Sequence, residues 1–315
     1  VINDFKKNIT KKYPTLVSKC INCELIQLKY CILDRHIFPK NYAYLSGDSK
    51  EKLLNYNDLI SKIKKKYVRK KNMTVVDIGG NDGSLMEIAK KKGFSVLNVE
   101  PTSVAKISKL KNVNTIEKKF SLSFVKTLKN KRFDFVISTN FLAHTNNLKE
   151  ILKGINLILK PNGILVVEVQ YLINVLKKNG FDSFHQDHKF YYTVRTLKNV
   201  LEIFGLYTFD YEFTDKSKEI LRVYVKKTKN LMSKRLINIL RYEKKYDTFI
   251  EIKKLNIFRK KYLIKLGKLL NKLSKKNIVA VSAAPRGCVL ISSLNFSNKK
   301  IKYVGEVPGS FKINK

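Results

Sequence analysis

The chain has 315 residues, with 64 Lys and Arg against 25 Asp and Glu for a formal net charge of +39, and it is 44% hydrophobic and 11% aromatic. That composition excludes a disordered basic tail and gives room for one large domain with an appendage, or two modest ones, at roughly 100–200 residues each. No apolar run reaches the ~18 residues of a membrane span and no charged-then-apolar signal segment opens the chain, so the cytoplasm is the expected compartment.

In chain order, residues 1–48 read as a small module around the knuckle Cys20-Ile-Asn-Cys23. A structural zinc normally takes two such pairs, so Cys20 and Cys23 are half of a ligand set, with Cys31 and His36 as candidate completions. The chain opens on Val1, and a first Cys pair is expected upstream of it. A disulfide is the less favoured use of these thiols in a Lys-rich cytosolic chain. Residues 49–226 then alternate helix and strand. An amphipathic helix over 49–70 leads to a strand at 73–78, a Gly-rich turn and a helix at 84–92. Strands at 94–99, 113–117, 133–138 and 164–169 are separated by helices at 102–110, 121–128 and 148–159. That alternation means a parallel sheet covered on both faces. A helix at 197–204 precedes two strands, 207–213 and 220–225, that can pair as an antiparallel hairpin. Residues 227–275 form a Lys-rich helical connector, its charges a solvated face. Residues 276–315 begin a further βαβ unit and stop within it.

The turn Val75-Val-Asp77-Ile-Gly79-Gly80-Asn81-Asp82-Gly83 is the first chemical signal. Glycines let the backbone turn tightly and approach a ligand, and an acidic residue at a strand end holds a cation or hydroxyls. The spacing is neither a dinucleotide fingerprint nor a P-loop; it fits the acidic D/E-x-G-x-x-x-G turn used for S-adenosylmethionine. Glu100 closes the next strand, where a carboxylate grips ribose hydroxyls. Asn140 ends the fourth strand, where the class I methyltransferases that this turn resembles place the residues flanking the methionine moiety. Asp77, Gly79, Asn81, Gly83, Glu100 and Asn140 are therefore the expected cofactor residues. No Asn-Pro-Pro-Tyr-like sequence follows that strand, which argues against base N-methylation.

These elements resemble a class I methyltransferase: a Rossmann-like seven-stranded mixed sheet with a small N-terminal knuckle and a partial C-terminal βαβ domain. More narrowly, the chain resembles the sugar C-methyltransferases of deoxysugar pathways, which carry an N-terminal zinc-binding module, a central methyltransferase domain and a C-terminal Rossmann-like domain. The residues that carry the resemblance are Cys20-x-x-Cys23-x-Leu25-x-Gln27-Leu28, Tyr42-x-Tyr44-x-Ser46, Asn81-Asp82-Gly83, Val99-Glu100-Pro101, Asn140-Phe-Leu-Ala-His144 and Val167-Glu168-Val169-Gln170-Tyr171. It continues through Phe181-Asp182-x-Phe184-His185-Gln186-Asp187-His188 and Leu221-Arg222-Val223-Tyr224, and ends in a degraded Gly-rich loop, Ala283-Ala284-Pro285-Arg286-Gly287. The resemblance implies methyl transfer to a carbon beside the ketone of a nucleotide-linked 4-keto sugar. It assigns His188 as general base, with Asp187 and His185 beside it, and Tyr44, His144, Gln170, Tyr171 and Arg222 on the substrate side. Gln186, His185 and Asp187 depart from the family's usual residues at their positions, which bears on substrate carbon and oxyanion donors. The implied cofactors are S-adenosylmethionine and structural zinc.

Methylation of oxygen or nitrogen on another small metabolite is the enzymatic alternative on this scaffold. The charge raises a third reading, a basic nucleic-acid-binding protein. Arg, the residue of bidentate phosphate contacts, stands at only nine positions, and the Lys excess is spread along the chain with many Asn and Ile, as AT-rich coding produces. The expected partner is thus a nucleotide sugar, with no membrane or nucleic acid, in a monomer or weak dimer.

Overall fold

The computed structural model describes residues 13–40, 42, 44–281, 284–294 and 301–305. The expectations for residues 1–12, Ala283 and 306–315 lie outside the described residues. β1 (Val17–Lys19) and β2 (Ile26–Leu28) pair as a hairpin around the cysteine knuckle. There Cys20 N–H donates to Leu25 O at 2.9 Å and Glu24 takes a left-handed φ of 62°. α1 (Asp34–Ile37) and a single 3-10 turn at Ser46–Asp48 precede α2 (Lys50–Tyr67). Ser49 caps α2 by accepting from Lys52 N–H.

The alternating region follows as β3 (Thr74–Ile78), α3 (Ser84–Lys91), β4 (Ser95–Val99), α4 (Ala105–Leu110) and β5 (Thr115–Ile116). It continues with α5 (Leu122–Thr127), β6 (Phe133–Thr139), α6 (Leu148–Ile158) and β7 (Leu159–Gln170). Next come α7 (Leu172–Lys177), β8 (Phe190–Tyr191), α8 (Val194–Glu202), β9 (Tyr207–Phe213) and β10 (Ile220–Lys226). α9 (Lys234–Lys244) and α10 (Thr248–Lys272) lead to β11 (Ile278–Val281), α11 (Pro285–Ser293) and β12 (Ile301–Gly305).

Seven strands form one mixed sheet in the order β5-β4-β3-β6-β7-β10-β9, with β10 antiparallel to both β7 and β9 and the rest parallel. Period-two alternation places the core on both faces. Val76, Ile78, Val136, Leu165 and Val167 pack with side chains of α5, α6, α8 and α9. Val75, Phe135, Ile137, Ile164 and Val166 pack with Tyr56, Leu59, Ile60 and Ile63 of α2 and Leu85, Met86 and Ala89 of α3. Each such buried side chain contributes roughly 1.5–3 kcal/mol against exposure.

Two features go beyond the sequence pattern. The helical connector is broken in two where Asp247 accepts from Phe249 and Ile250 N–H and starts α10. The second is that residues 171–193, which carry no clear period, hold α7 and β8, and β8 joins β1 and β2 in a separate three-stranded sheet. That pairing docks the N-terminal module directly beside His185–His188, with Leu28 N–H donating to Lys189 O at 2.9 Å.

Candidate active site

The sheet order reverses between β3 and β6, since β3 leads outward to β4 and β5 and the chain returns to β6 on the other side. At such a point the carboxyl ends of parallel strands leave a crevice. A cleft of about 350 Å³ opens there, lined by Gly79, Gly80, Asn81, Glu100, Thr139 and Asn140 among others. Gly79 has a φ of 70°, and a Cβ on it would sit 2.6 Å from the Phe141 ring, so only glycine keeps this turn against the cleft wall. Glu100 is 5% exposed. Its Oε1 accepts from Thr102 N–H at 3.0 Å and Thr102 Oγ1 at 2.7 Å, and its Oε2 accepts from Asn81 N–H at 3.0 Å. Oε2 keeps one acceptor position for a ligand hydroxyl.

Asp77 lies behind the glycine turn, buried, and does not itself line the cleft. Burial, then the charges of Glu100 and Glu168, push its carboxyl up to about 8, and its Oδ1 has no hydrogen-bond partner. An orphaned carboxylate oxygen beside the cleft fits a ligand that brings a cation or donor, as the amino acid end of S-adenosylmethionine does. Gly83 sits at the start of α3 against Ser108, outside the cleft lining.

The opposite wall is built from the N-terminal module and the loops after β6 and α7. His144 and Asp187 line the cleft, whereas His188, the expected base, and His185 are not in its lining. His144 Nδ1 lies 2.7 Å from the Asp187 carbonyl oxygen. A carbonyl only accepts, so Nδ1 carries the proton and Nε2 keeps its lone pair. The His188 ring packs at a tilt against His144 at 4.8 Å and His185 at 4.3 Å between ring centroids. Ligand atoms of His144, Asp187 and His188 lie within 4.8 Å of one another. Burial, then the neighbouring His144 and His185, push His188 down to about 3, and burial likewise lowers His144. Burial alone would raise Asp187, but its hydrogen bond to His185 and the nearby imidazoles hold it at about 2. The neutral His144 imidazole, at the cleft beside a carboxylate, can accept a proton.

Three residues expected on the substrate side stand elsewhere. Arg222 is fully buried: Nε donates to Glu168 Oε1 at 2.7 Å, Nη1 to Glu212 Oε1 at 2.8 Å and to Asp58 Oδ2 at 3.0 Å, and Nη2 to Asn55 Oδ1 at 2.6 Å. Its guanidinium is consumed in tying α2 to β7 and β9. Tyr171 is buried and donates to Glu243 Oε1 at 2.9 Å, and Gln170 does not reach the cleft lining. Tyr44 and His144 do line it. The zinc expectation finds only two thiols: among the described residues the single group of three His, Cys, Asp or Glu ligands is His144, Asp187 and His188, so Cys31 and His36 are not gathered around Cys20 and Cys23. Two thiols do not fit a four-coordinate structural zinc.

Sequence reasoning missed Asp34, Arg35, Phe38, Tyr42, Lys52, Tyr56 and Lys119, all of which line the cleft. Asp34 pairs with Lys119 at 2.6 Å and with the buried Lys189, which follows His188 directly. No local pattern announces these contacts.

A mixed seven-stranded sheet with an antiparallel end, an acidic glycine turn at the switch point and a carboxylate closing the next strand define a class I S-adenosylmethionine-dependent methyltransferase. A family profile described as "Methyltransferase domain" matches residues 50–209, and the chain belongs to that family. C-methyltransferase NovU of Streptomyces niveus is 25% identical over 206 residues, 64% of this chain and 49% of that protein, so the match spans about half of its length. An uncharacterized protein of Methanocaldococcus jannaschii is 32% identical over 152 residues, 48% of this chain and 64% of that protein. Among solved structures, a Burkholderia thailandensis 1,6-didemethyltoxoflavin-N1-methyltransferase is 16% identical, with a TM-score of 0.45 over 58% of this chain and 80% of that one. Among the described residues no helix is long and apolar enough to cross a membrane.

Proposed function

We propose that this methyltransferase methylates a carbon beside the ketone of a nucleotide-linked sugar. The observation that carries the reading is the neutral imidazole of His144, which lines the cleft beside Asp187 opposite the cofactor turn and packs against His188 at 4.8 Å between ring centroids. The similarity to a protein named C-methyltransferase NovU supports the same reaction class.

The Gly79–Asn81 turn, Glu100 and Asn140, with Asp77 buried behind the turn, would hold S-adenosylmethionine, which when bound supplies an electrophilic methyl group on a sulfonium sulfur. A C–H beside a ketone is acidic enough for a positioned base to remove, whereas an amine nitrogen already carries the lone pair that attacks. His144, with Nδ1–H fixed on the Asp187 carbonyl, presents Nε2 as the acceptor of that proton. Asp187, bonded to His185, stabilises the imidazolium. Tyr42, which also lines the cleft, is held protonated by burial, first, and then by the Asp187 charge, its hydroxyl pushed up to about 12, so it remains a donor for an enolate oxygen. Arg35 and Lys52 bring positive charge to the same cleft, which suits a diphosphate.

The test is solvent exchange. A nucleotide-linked 4-keto sugar incubated in heavy water with the protein and S-adenosylhomocysteine should exchange its α-proton. Full methylation activity without any such exchange, on a substrate nitrogen or oxygen, overturns the proposal.

A further inference from the structure

Asn81 belongs to two surfaces at once. Its backbone N–H donates to Glu100 Oε2 at 3.0 Å, on the cofactor side. Its side chain faces the N-terminal module: Oδ1 accepts from Ser46 N–H at 2.8 Å and Ser46 Oγ at 3.1 Å, and Nδ2 donates to Tyr44 O at 3.0 Å. Asp82, buried at 2% exposure, continues the clasp. Its Oδ1 accepts from Ser46 Oγ at 3.1 Å, and its Oδ2 accepts from Gly47 N–H at 3.1 Å and Lys111 Nζ at 2.8 Å. A Cβ on Gly47 would lie 2.5 Å from both Asp82 Oδ2 and Ser84 Oγ, so the strap approaches the turn as closely as a bare backbone allows.

Other polar bonds hold the described residues of this stretch as well: Lys40 O accepts from Ser103 N–H at 2.8 Å, and Asp34 pairs with Lys119 and Lys189. Between Leu28 and Ser46 no described side chain is buried, so polar bonds rather than apolar packing fix this stretch. The same stretch carries an aromatic wall. Tyr44 meets Tyr42 at 6.3 Å, Tyr42 meets Phe38 at 5.4 Å, and Phe38 meets the His144 ring at 5.6 Å between centroids. The clasp on the cofactor turn thus sits at one end of a chain of rings that ends on His144.

We propose that Asn81 and Asp82 are positioning residues that couple the cofactor turn to the Phe38–Tyr44 wall, so that a ligand held by Glu100 and the glycine turn orders the surface against which the acceptor binds. A ligand that fixes the Asn81 backbone lowers the entropy cost of the side-chain bonds on its other side. The acceptor therefore binds second. The coupling rests on the cofactor site alone, not on the identity of the acceptor.

Hydrogen exchange with S-adenosylhomocysteine as probe tests it. Asn81 has a φ of 51°, so Asn81→Gly keeps the backbone conformation and the N–H to Glu100 while deleting all three side-chain bonds to the strap. In the wild type the probe should slow exchange of the Ser46 and Gly47 amides by about tenfold or more. With each protein saturated by the probe at its own Kd, the slowing in Asn81→Gly should fall below about threefold. Equal slowing in both proteins overturns the coupling, as does a wild type that binds the probe without slowing these amides. If Asn81→Gly fails to bind the probe, Gly47→Ala decides, because it pushes the strap away without touching Glu100. Retained slowing there refutes the proposal and lost slowing with binding intact supports it. A wild type that does not bind the probe fails at the cofactor site itself, a distinct outcome that also removes the basis for the coupling.

Discussion

Asp77→Asn should make the ligand-free protein more stable and worse at holding its cofactor. Asp77 is 1% exposed, one of its oxygens has no partner, and burial followed by Glu100 and Glu168 raises its carboxyl to about 8. A folded value above the unfolded one means that the native state binds the extra proton, so stability is lost as pH rises from about 4 through about 8. Each tenfold change in proton affinity between the two states is worth about 1.4 kcal/mol, and the span from 3.8 to pH 7 would amount to about 4 kcal/mol before relaxation of the site. Allowing for relaxation, Asn at this position should stabilise the ligand-free protein by about 3 kcal/mol at pH 7 to 8, and by close to nothing at pH 4. For a domain of this size that is a rise in thermal midpoint of roughly 6–12 °C. Thermal melts of both proteins across pH 4 to 9, with and without S-adenosylhomocysteine, read it out. Probe affinity should fall by about tenfold or more with the charge removed. If the two melting profiles run parallel across that pH range, or the variant is less stable at pH 8, Asp77 is not an unpaired carboxylate awaiting a cationic ligand.

Glu100→Gln should weaken S-adenosylhomocysteine binding by about 10- to 100-fold in titration calorimetry, the range for losing a charge-assisted hydrogen bond. His144→Gln and His188→Gln should each slow α-proton exchange of a keto-sugar nucleotide by about 100-fold or more while leaving probe affinity unchanged. His188 is held near 3 by burial and by His144 and His185, so its neutral form contributes stability that is lost as pH falls from about 6.5 toward about 3. In urea titrations His188→Gln should flatten that acid limb. Arg222→Met strands the buried Glu168 carboxylate and should cost about 3–5 kcal/mol in urea unfolding, most of it recovered when Glu168→Gln is added.

What the sequence made visible follows the range of the interactions. Gly79, Gly80, Glu100 and Asn140 are each local, at the end of a strand whose period is plain, and they line the cleft, while Asp77 and Gly83 do not. The sheet is legible for the same reason, since its strands alternate apolar residues between two faces. Arg222 misled because its meaning is a register: β10 sets it across from Glu168 on β7 and Glu212 on β9, partners 54 and 10 residues away. The far wall was legible only in Tyr44, His144 and Asp187, for a related reason. Asp34 meets Lys189 across 155 residues, and His144 meets Asp187 across 43. The wall depends on β8 adding to the N-terminal hairpin, and a two-residue strand has no period to detect.

The most direct test of the central claim is a methyl-transfer assay with 13C-methyl-labelled S-adenosylmethionine and a nucleotide-linked 4-keto sugar, read by NMR of the product. The expected product carries the labelled methyl on the carbon beside the ketone, formed by the wild type and lost in His144→Gln. A labelled methyl on oxygen or nitrogen, or transfer that persists in His144→Gln and His188→Gln alike, would contradict it.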